Sequence, residues 1–237
     1  MKNNKYMDIY NFLKELIINK KIKPGEKIPS ESQLTTKFNV SRNTARRAIT
    51  MLINEGLVNS IHGKGVFILE NSSPSFSIGG LQSFEEASKK NNLKYKTIIH
   101  SFEIIKADKN IAKKTTFPLN TKLYKIKRIR NIDNENIILD VNYFNYDIIK
   151  GLNKTIAKNS IYDYVENNLK LNIAGAKKVL SVEKIEECEK NLLDLDNNKL
   201  VAIIKNFVYL DNGVLFEYTE SKHRYDKFSF TSYVRRI

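Results

Sequence analysis

The chain has 237 residues, 41% of them apolar and 10% aromatic, enough for one large domain or for two with real cores. Its 40 Lys and Arg outnumber 26 Asp and Glu, and the net charge of +14 favours an anionic partner: nucleic acid, a membrane surface or a phosphorylated metabolite. A single cysteine, Cys188, excludes an intrachain disulfide framework, and no stretch approaches the roughly 20 apolar residues of a membrane span.

The opening MKNNKYMDIYNFL lacks the apolar run of a signal peptide, so a reducing, cytoplasmic setting without a membrane partner is expected. A first helix is predicted over 6–19, with Ile9, Phe12, Leu13, Leu16 and Ile17 along one side. Pro24 and Gly25 mark a turn. In PSESQLTTKF, Ser30 and Gln33 fit a capping box, and Leu34 and Phe38 share one helix face. Ser41 caps a further helix over 42–55, whose buried stripe is Ala45, Ala48, Ile49, Leu52 and Ile53. Arg42, Asn43, Arg46 and Arg47 lie on its opposite face, with Thr44 near the exposed first turn. Gly56 stops it. Two short strands, 58–61 and 66–69, flank a tip of His62, Gly63, Lys64 and Gly65. This pattern predicts a winged helix-turn-helix, an α/β unit whose second helix suits the major groove while the wing rides on the DNA backbone. The bland alternative is a basic helix that only meets solvent. Four agreeing signals oppose it: the two-helix spacing, the serine cap, the clustered arginines and the glycine-bearing wing.

Residues 71–75, Asn-Ser-Ser-Pro-Ser, break the periodicity and place a linker at 71–76, between a domain of 1–70 and a second of 77–237. In the second domain, helices are expected over 83–91, 108–115, 160–169 and 185–193. Extended segments are expected over 95–106, 123–130, 137–144, 173–183, 200–210, 215–223 and 228–234, with hairpin turns at 133–136 and 211–213. The pattern implies an α+β domain with an antiparallel sheet and helices packed on it.

Catalytic and metal constellations are missing from the sequence: His62, His100 and His223 are scattered, and there is no HExxH, P-loop or GxSxG. An enzyme is therefore not expected, and no cofactor. Arg128 and Arg130 stand at i and i+2 on one side of a strand, where two guanidinium forks suit a phosphate. The same spacing also fits a solvent-facing side, with Lys125 and Lys127 on the other. Ser83 opens a helix after a glycine-rich approach, where free N–H groups welcome an anion, whereas Ser160 reads first as an ordinary N-cap. Glu217 and His223 suit the hydroxyls of a polar ligand, or are polar filler. Phe84, Tyr143, Phe144, Tyr162 and Tyr218 line a pocket or belong to the core.

With the PSE, VSR, T.RRA and GKG elements in place, residues 6–70 resemble the winged helix-turn-helix of the GntR family. Residues 76–237 resemble the UTRA effector-binding domain of its HutC branch. Four blocks carry a closer similarity to the trehalose-responsive members of that branch: GGLQSFEEA, RIRNIDNENIILDVNYF, NSIYDYVENNLKLNI and YTESKHRYDKFSF. The resemblance implies a homodimeric repressor on palindromic double-stranded operator DNA, released by trehalose 6-phosphate; another phosphosugar, such as an amino-sugar 6-phosphate, is the alternative effector. On the DNA side it leads to Arg42, Thr44 and Arg46 at base edges or nearby phosphates. Arg47, His62, Gly63 and Lys64 would hold the backbone and wing, and Ser32 would join that surface. On the effector side it implies a phosphate between Ser83, Phe84, Arg128, Arg130 and Ser160, with Asp140, Tyr162, Glu217 and His223 on the sugar. Asp140 stands where some relatives carry glutamate. A sugar-phosphate enzyme with a DNA-binding head and a ligand-free nucleoid protein are the rival classes.

Overall fold

The structure is a computed structural model and describes residues 5–69, 81, 83–90, 94–195 and 199–229. The chain divides into two compact units that meet in sequence between Gly80 and Leu81. The expected linker at 71–76 lies outside the described residues.

The first unit opens with α1, Lys5–Ile18, followed by α2, Glu31–Phe38, and α3, Arg42–Asn54. Ser30 caps α2 in the expected box: its Oγ accepts from Gln33 N at 3.3 Å while Gln33 Oε1 accepts from Ser30 N at 2.8 Å. Asn39 ends α2 in the left-handed conformation, φ 48°, which a short amide side chain tolerates, and the chain re-enters helix at Arg42. Ser41 Oγ accepts from Thr44 N at 3.2 Å to start α3, and Gly56, φ 68°, ends it. Ile9, Leu13, Leu34, Ala45, Ala48, Leu52 and Val58 interlock as one core. The two alanines let α3 sit close under α1 and α2. Strands β1, Val58–Ile61, and β2, Gly65–Ile68, pair antiparallel around the wing tip. Gly63 at φ 72° and Gly65 at φ 114° supply backbone angles that a Cβ would strain.

The second unit is a six-stranded sheet in the order β3-β4-β5-β8-β7-β6, antiparallel throughout. Its strands are β3 (Tyr95–Lys106), β4 (Lys122–Ile132), β5 (Glu135–Asn145), β6 (Ile173–Lys184), β7 (Leu200–Leu210) and β8 (Leu215–Arg224). Asp133 and Asn134, both at positive φ, close the β4–β5 hairpin, as their residue types suggest. Two apolar clusters cover the two faces. Leu123, Ile129, Leu139, Val141, Tyr143 and Tyr218 lie in one with Ile185 and Leu193; Tyr124, Ile126, Phe144 and Val208 lie in the other with Ile149, Ala157, Ile161 and Val165. Tyr143, Tyr218 and Phe144 are thus core residues.

Helix α4 is Phe84–Lys90, and α5, Lys109–Thr115, begins at the Asp108 cap. Three expectations are revised. The helix after Ser160 is only α7, Ile161–Asp163, and widens into a π-helical turn at Tyr164–Asn168. The segment before β7 is a 3-10 helix, Glu187–Leu192, and a short helix α6, Lys154–Lys158, was not foreseen because five residues carry no periodicity. Phe228 and Ser229 are not in a strand; a 3-10 turn, Tyr225–Lys227, precedes them, and residues 230–234 lie outside the described set.

Candidate DNA-binding surface and effector site

On the first unit, Arg42, Arg46 and Arg47 project from α3, exposed along with Ser32 on α2 and His62, Gly63 and Lys64 at the wing tip. Thr44 is half-buried, its Oγ1 within 2.9 Å of Ser41 Oγ. The arginines differ in their tethers. The Arg47 guanidinium lies 4.0 Å from the Tyr6 ring centroid, tied back to α1. Arg46 donates from Nε to Glu31 Oε1 at 3.0 Å and from Nη2 to Glu31 Oε2 at 3.1 Å.

On the second unit, Arg128 and Arg130 are only 7% and 4% exposed, which overturns the solvent-facing alternative. Their strand lies inside the sheet, and α6 passes over their face: Arg128 Nη1 donates to the Ala157 carbonyl at 3.4 Å. Register explains the rest of the site. β4 sets Arg128 opposite Asp140, and β5 in turn sets Asp140 opposite Ser221 and Asn142 opposite Thr219.

The result is two hydrogen-bonded chains. Arg130 donates from Nε to Asp140 Oδ2 at 2.8 Å and from Nη1 to Thr97 Oγ1 at 2.7 Å, while Ser221 Oγ donates to Asp140 Oδ1 at 2.6 Å. Arg128 Nε donates to Asn142 Oδ1 at 2.9 Å; Asn142 Nδ2 continues to Thr219 Oγ1 at 2.6 Å, and Thr219 Oγ1 donates to Glu217 Oε1 at 2.5 Å. Phe84 places its ring 4.5 Å from the Arg130 guanidinium. Asn142, Thr219, Thr97 and Ser221 escaped the sequence reading. For Asn142, Thr219 and Ser221 the one signal was period two, after Asp140 on β5 and after Glu217 on β8; Thr97 on β3 carried none.

The electrostatics separate the members. Burial works to raise the Asp140 pKa, but the Arg130 and Arg128 charges and the Ser221 bond override it and hold the carboxyl below its usual range. Burial raises Glu217, opposed by the bonds from Thr219 and Tyr162. Burial, reinforced by the Arg130 charge and opposed by the Asp140 and Glu217 charges, lowers Arg128 to about 10. Among the described residues Arg128 has no carboxylate within ion-pair reach; its hydrogen-bond acceptors, Asn142 and the Ala157 carbonyl, are neutral. Desolvation brings His223 down to about 4, with Asp140 opposing, and its ring packs 5.1 Å from Phe228. Tyr162 is raised well above its ordinary value by burial and the neighbouring Glu217 charge.

Both serines act as caps. Ser160 Oγ accepts from Asp163 N at 3.2 Å, and Ser83 forms a capping box with Glu86, whose carboxylate takes the Ser83 N–H at 2.7 Å. Ser83 N–H is therefore already engaged, and its helix opens by an ordinary box. A cavity of about 500 Å³ lies between β3 and α6, lined by Thr97, Ile98, Ile99, Lys154, Thr155 and Lys158, and it reaches the Arg130 shell through Thr97. No cluster of metal-ligating side chains occurs among the described residues, and no described helix is long and apolar enough to cross a membrane.

Residues 5–68 match the bacterial regulatory proteins of the gntR family, and residues 90–229 match the UTRA domain. The HTH-type transcriptional regulator TreR of Bacillus subtilis (strain 168) is 36% identical over 236 residues, spanning 100% of this chain and 99% of that protein. The HTH-type transcriptional repressor NagR of the same organism is 29% identical, covering 98% of this chain and 95% of the relative. Among solved structures, the effector-binding domain of the B. subtilis trehalose repressor (TreR) aligns with 60% of this chain and 98% of its own length at 38% identity and a TM-score of 0.55. The possible transcriptional regulator YydK from Bacillus subtilis subsp. subtilis str. 168 shares the fold across 98% of this chain and 99% of its own, with a TM-score of 0.78 at 22% identity. These relatives are transcriptional regulators, not enzymes. With a reading head on its first unit and a buried, polar, arginine-bearing face on its second, the chain belongs to the gntR family of bacterial regulatory proteins and carries a UTRA domain.

Proposed function

We propose that the chain is a homodimeric repressor of trehalose uptake and utilisation genes that leaves a palindromic operator when trehalose 6-phosphate binds its UTRA domain. One observation carries the effector class: Arg128 is a buried cation whose partners are neutral. The carboxylates Asp140 and Glu217 act on it only from beyond ion-pair distance, so a dianionic phosphate that accepts a guanidinium fork adds a direct counter-ion where burial disfavours the charge. Glu217, a buried carboxyl among Thr219 and Tyr162, supplies an acceptor for a sugar hydroxyl beside it. The full-length similarity to TreR, and the 38% identity to the effector-binding domain of the B. subtilis trehalose repressor, support trehalose as the sugar. A second reading follows from Asp140, held as a carboxylate: it favours an ammonium as well as a hydroxyl, so an amino-sugar 6-phosphate is the competing effector.

For release, the effector must favour a DNA-incompetent arrangement of the dimer. A swing from 99:1 to 1:99 takes roughly 5.5 kcal/mol of differential binding. Operator must then weaken effector binding by the same factor. A thermal-shift screen of the full chain with trehalose, trehalose 6-phosphate and glucosamine 6-phosphate tests the proposal. Stabilisation by trehalose 6-phosphate alone is expected; equal response to unphosphorylated trehalose would remove the phosphate from the argument.

A further inference from the structure

We infer that Glu31 is a positioning residue for DNA reading: it holds the Arg46 guanidinium by one edge and leaves the other edge as a fork for a guanine. An arginine has five N–H donors. Glu31 takes the Nε and one Nη2 hydrogen of Arg46, at 3.0 and 3.1 Å. Those two donors define the side edge of the planar group. The end edge, with one hydrogen each from Nη1 and Nη2, stays available as a parallel pair, the arrangement that matches guanine O6 and N7. An arginine held by its end edge would offer only its side edge.

The two residues sit 15 apart in sequence, at the start of α2 and in the second turn of α3. Their bond therefore fixes the guanidinium relative to both helices of the reading head. As a stabilising pair it matters little: Arg46 is 64% exposed and Glu31 35%, and ion pairs in that setting contribute little to folding. A carboxylate on a surface built to meet phosphates also opposes DNA binding in general. Its value lies in discrimination. It removes the ordering cost of a flexible side chain before DNA arrives, and it discourages Arg46 from settling on any nearby phosphate.

The plain alternative is that Glu31 serves the helix, since an acidic residue in a first turn complements the helix dipole. Geometry separates the two, because Glu31→Asp keeps charge and dipole but shortens the arm by one methylene. The inference rests on the reading that Arg46 touches DNA, so Arg46→Ala is part of the test. The full-length protein would first select a duplex from a random pool. Wild type, Glu31→Gln, Glu31→Asp, Arg46→Ala and Glu31→Gln with Arg46→Ala would then be titrated by fluorescence anisotropy. The selected duplex and a scrambled one would be compared at one fixed salt concentration.

Glu31→Gln and Glu31→Asp should each weaken the selected duplex by roughly threefold to tenfold. Binding of the scrambled duplex by Glu31→Gln should hold or rise, and Glu31→Gln should have no further effect on selection once Arg46 is alanine. Selected and scrambled affinities rising together in Glu31→Gln would show a bare charge effect and overturn the inference. So would full discrimination in Glu31→Asp, or a Glu31→Gln penalty that persists without Arg46. Arg46→Ala with selection intact would instead take Arg46 off the DNA surface, failing the reading underneath while leaving the winged-helix assignment untouched.

Discussion

Replacing Arg128 by methionine should abolish the effector response while leaving the fold and the operator complex intact. Among the described residues Arg128 donates only to Asn142 Oδ1 and the Ala157 carbonyl, at 2.9 and 3.4 Å. Its removal leaves two neutral acceptors short of a partner, at about 1–3 kcal/mol each if fully dry, and relieves a buried cation that burial already disfavours. The opposing effects bring net stability to within about 2 kcal/mol of wild type. Arg130→Met is the contrast, because Arg130 is paired with Asp140, itself 5% exposed. Stranding that carboxylate should cost about 3–5 kcal/mol, so this variant melts early. For the effector, one charge-assisted bond contributes about 1.5–3 kcal/mol, or roughly 10- to 150-fold in dissociation constant. The assay is release of a labelled selected duplex, followed by anisotropy at fixed salt, as trehalose 6-phosphate or trehalose is added. Arg128→Met should hold the duplex at effector concentrations that free wild type, and trehalose should fail on both. A normal response in Arg128→Met, or a large loss of its thermal stability beside a stable Arg130→Met, would refute the reasoning.

Three further outcomes follow from the same structure. Lys64→Ala at the wing tip should weaken selected and scrambled duplexes alike and reduce the salt slope by about 1; a change in sequence preference alone would move Lys64 from the phosphates to the bases. His223 titrates at about 4 in the folded chain against an ordinary 6.5, so the unfolded state binds its proton first as pH falls. Its contribution is present above 6.5 and drains away toward 4, and chemical denaturation of His223→Gln should show a shallower loss across that window than wild type. Limited proteolysis within 71–76, a polar stretch bearing Pro74, should yield two folded fragments, the first binding the selected duplex more weakly than the full chain; equal affinity would place the dimer contacts elsewhere.

The reading head was legible in the sequence because its signals are local. Ser30 with Gln33, Ser41, Asn39 and Gly56 set helix ends within a few residues of themselves, and the apolar stripe of α3 follows from helical period alone. The strands of the second unit were legible for the same reason, period two between turn residues. The five-residue α6 was not, since it is too short to show a period, and nothing in the pattern of the expected helix over 160–169 marks its widening into a π-helical turn after α7.

The site was half legible. Spacing put Arg128 and Arg130 on one strand side, and the family resemblance pointed to Asp140, Glu217 and His223. The alternation of β4 was equally compatible with a wet face, because alternation says which residues share a side and nothing about what covers it. Only the tertiary structure decided that: α6 reaches Arg128 through the Ala157 carbonyl, Arg130 and Arg128 reach diagonally across the β4–β5 pair to Asp140 and Asn142, and Thr219 links the second pair to Glu217. The Glu31–Arg46 fork is another such case, formed by residues on separate helices. Sequence by itself determined the elements and their caps, since those energies are paid within one turn or one hairpin. Which polar side chains became partners depended on contacts far apart along the chain, whose register is settled only when the sheet and the helix pair close.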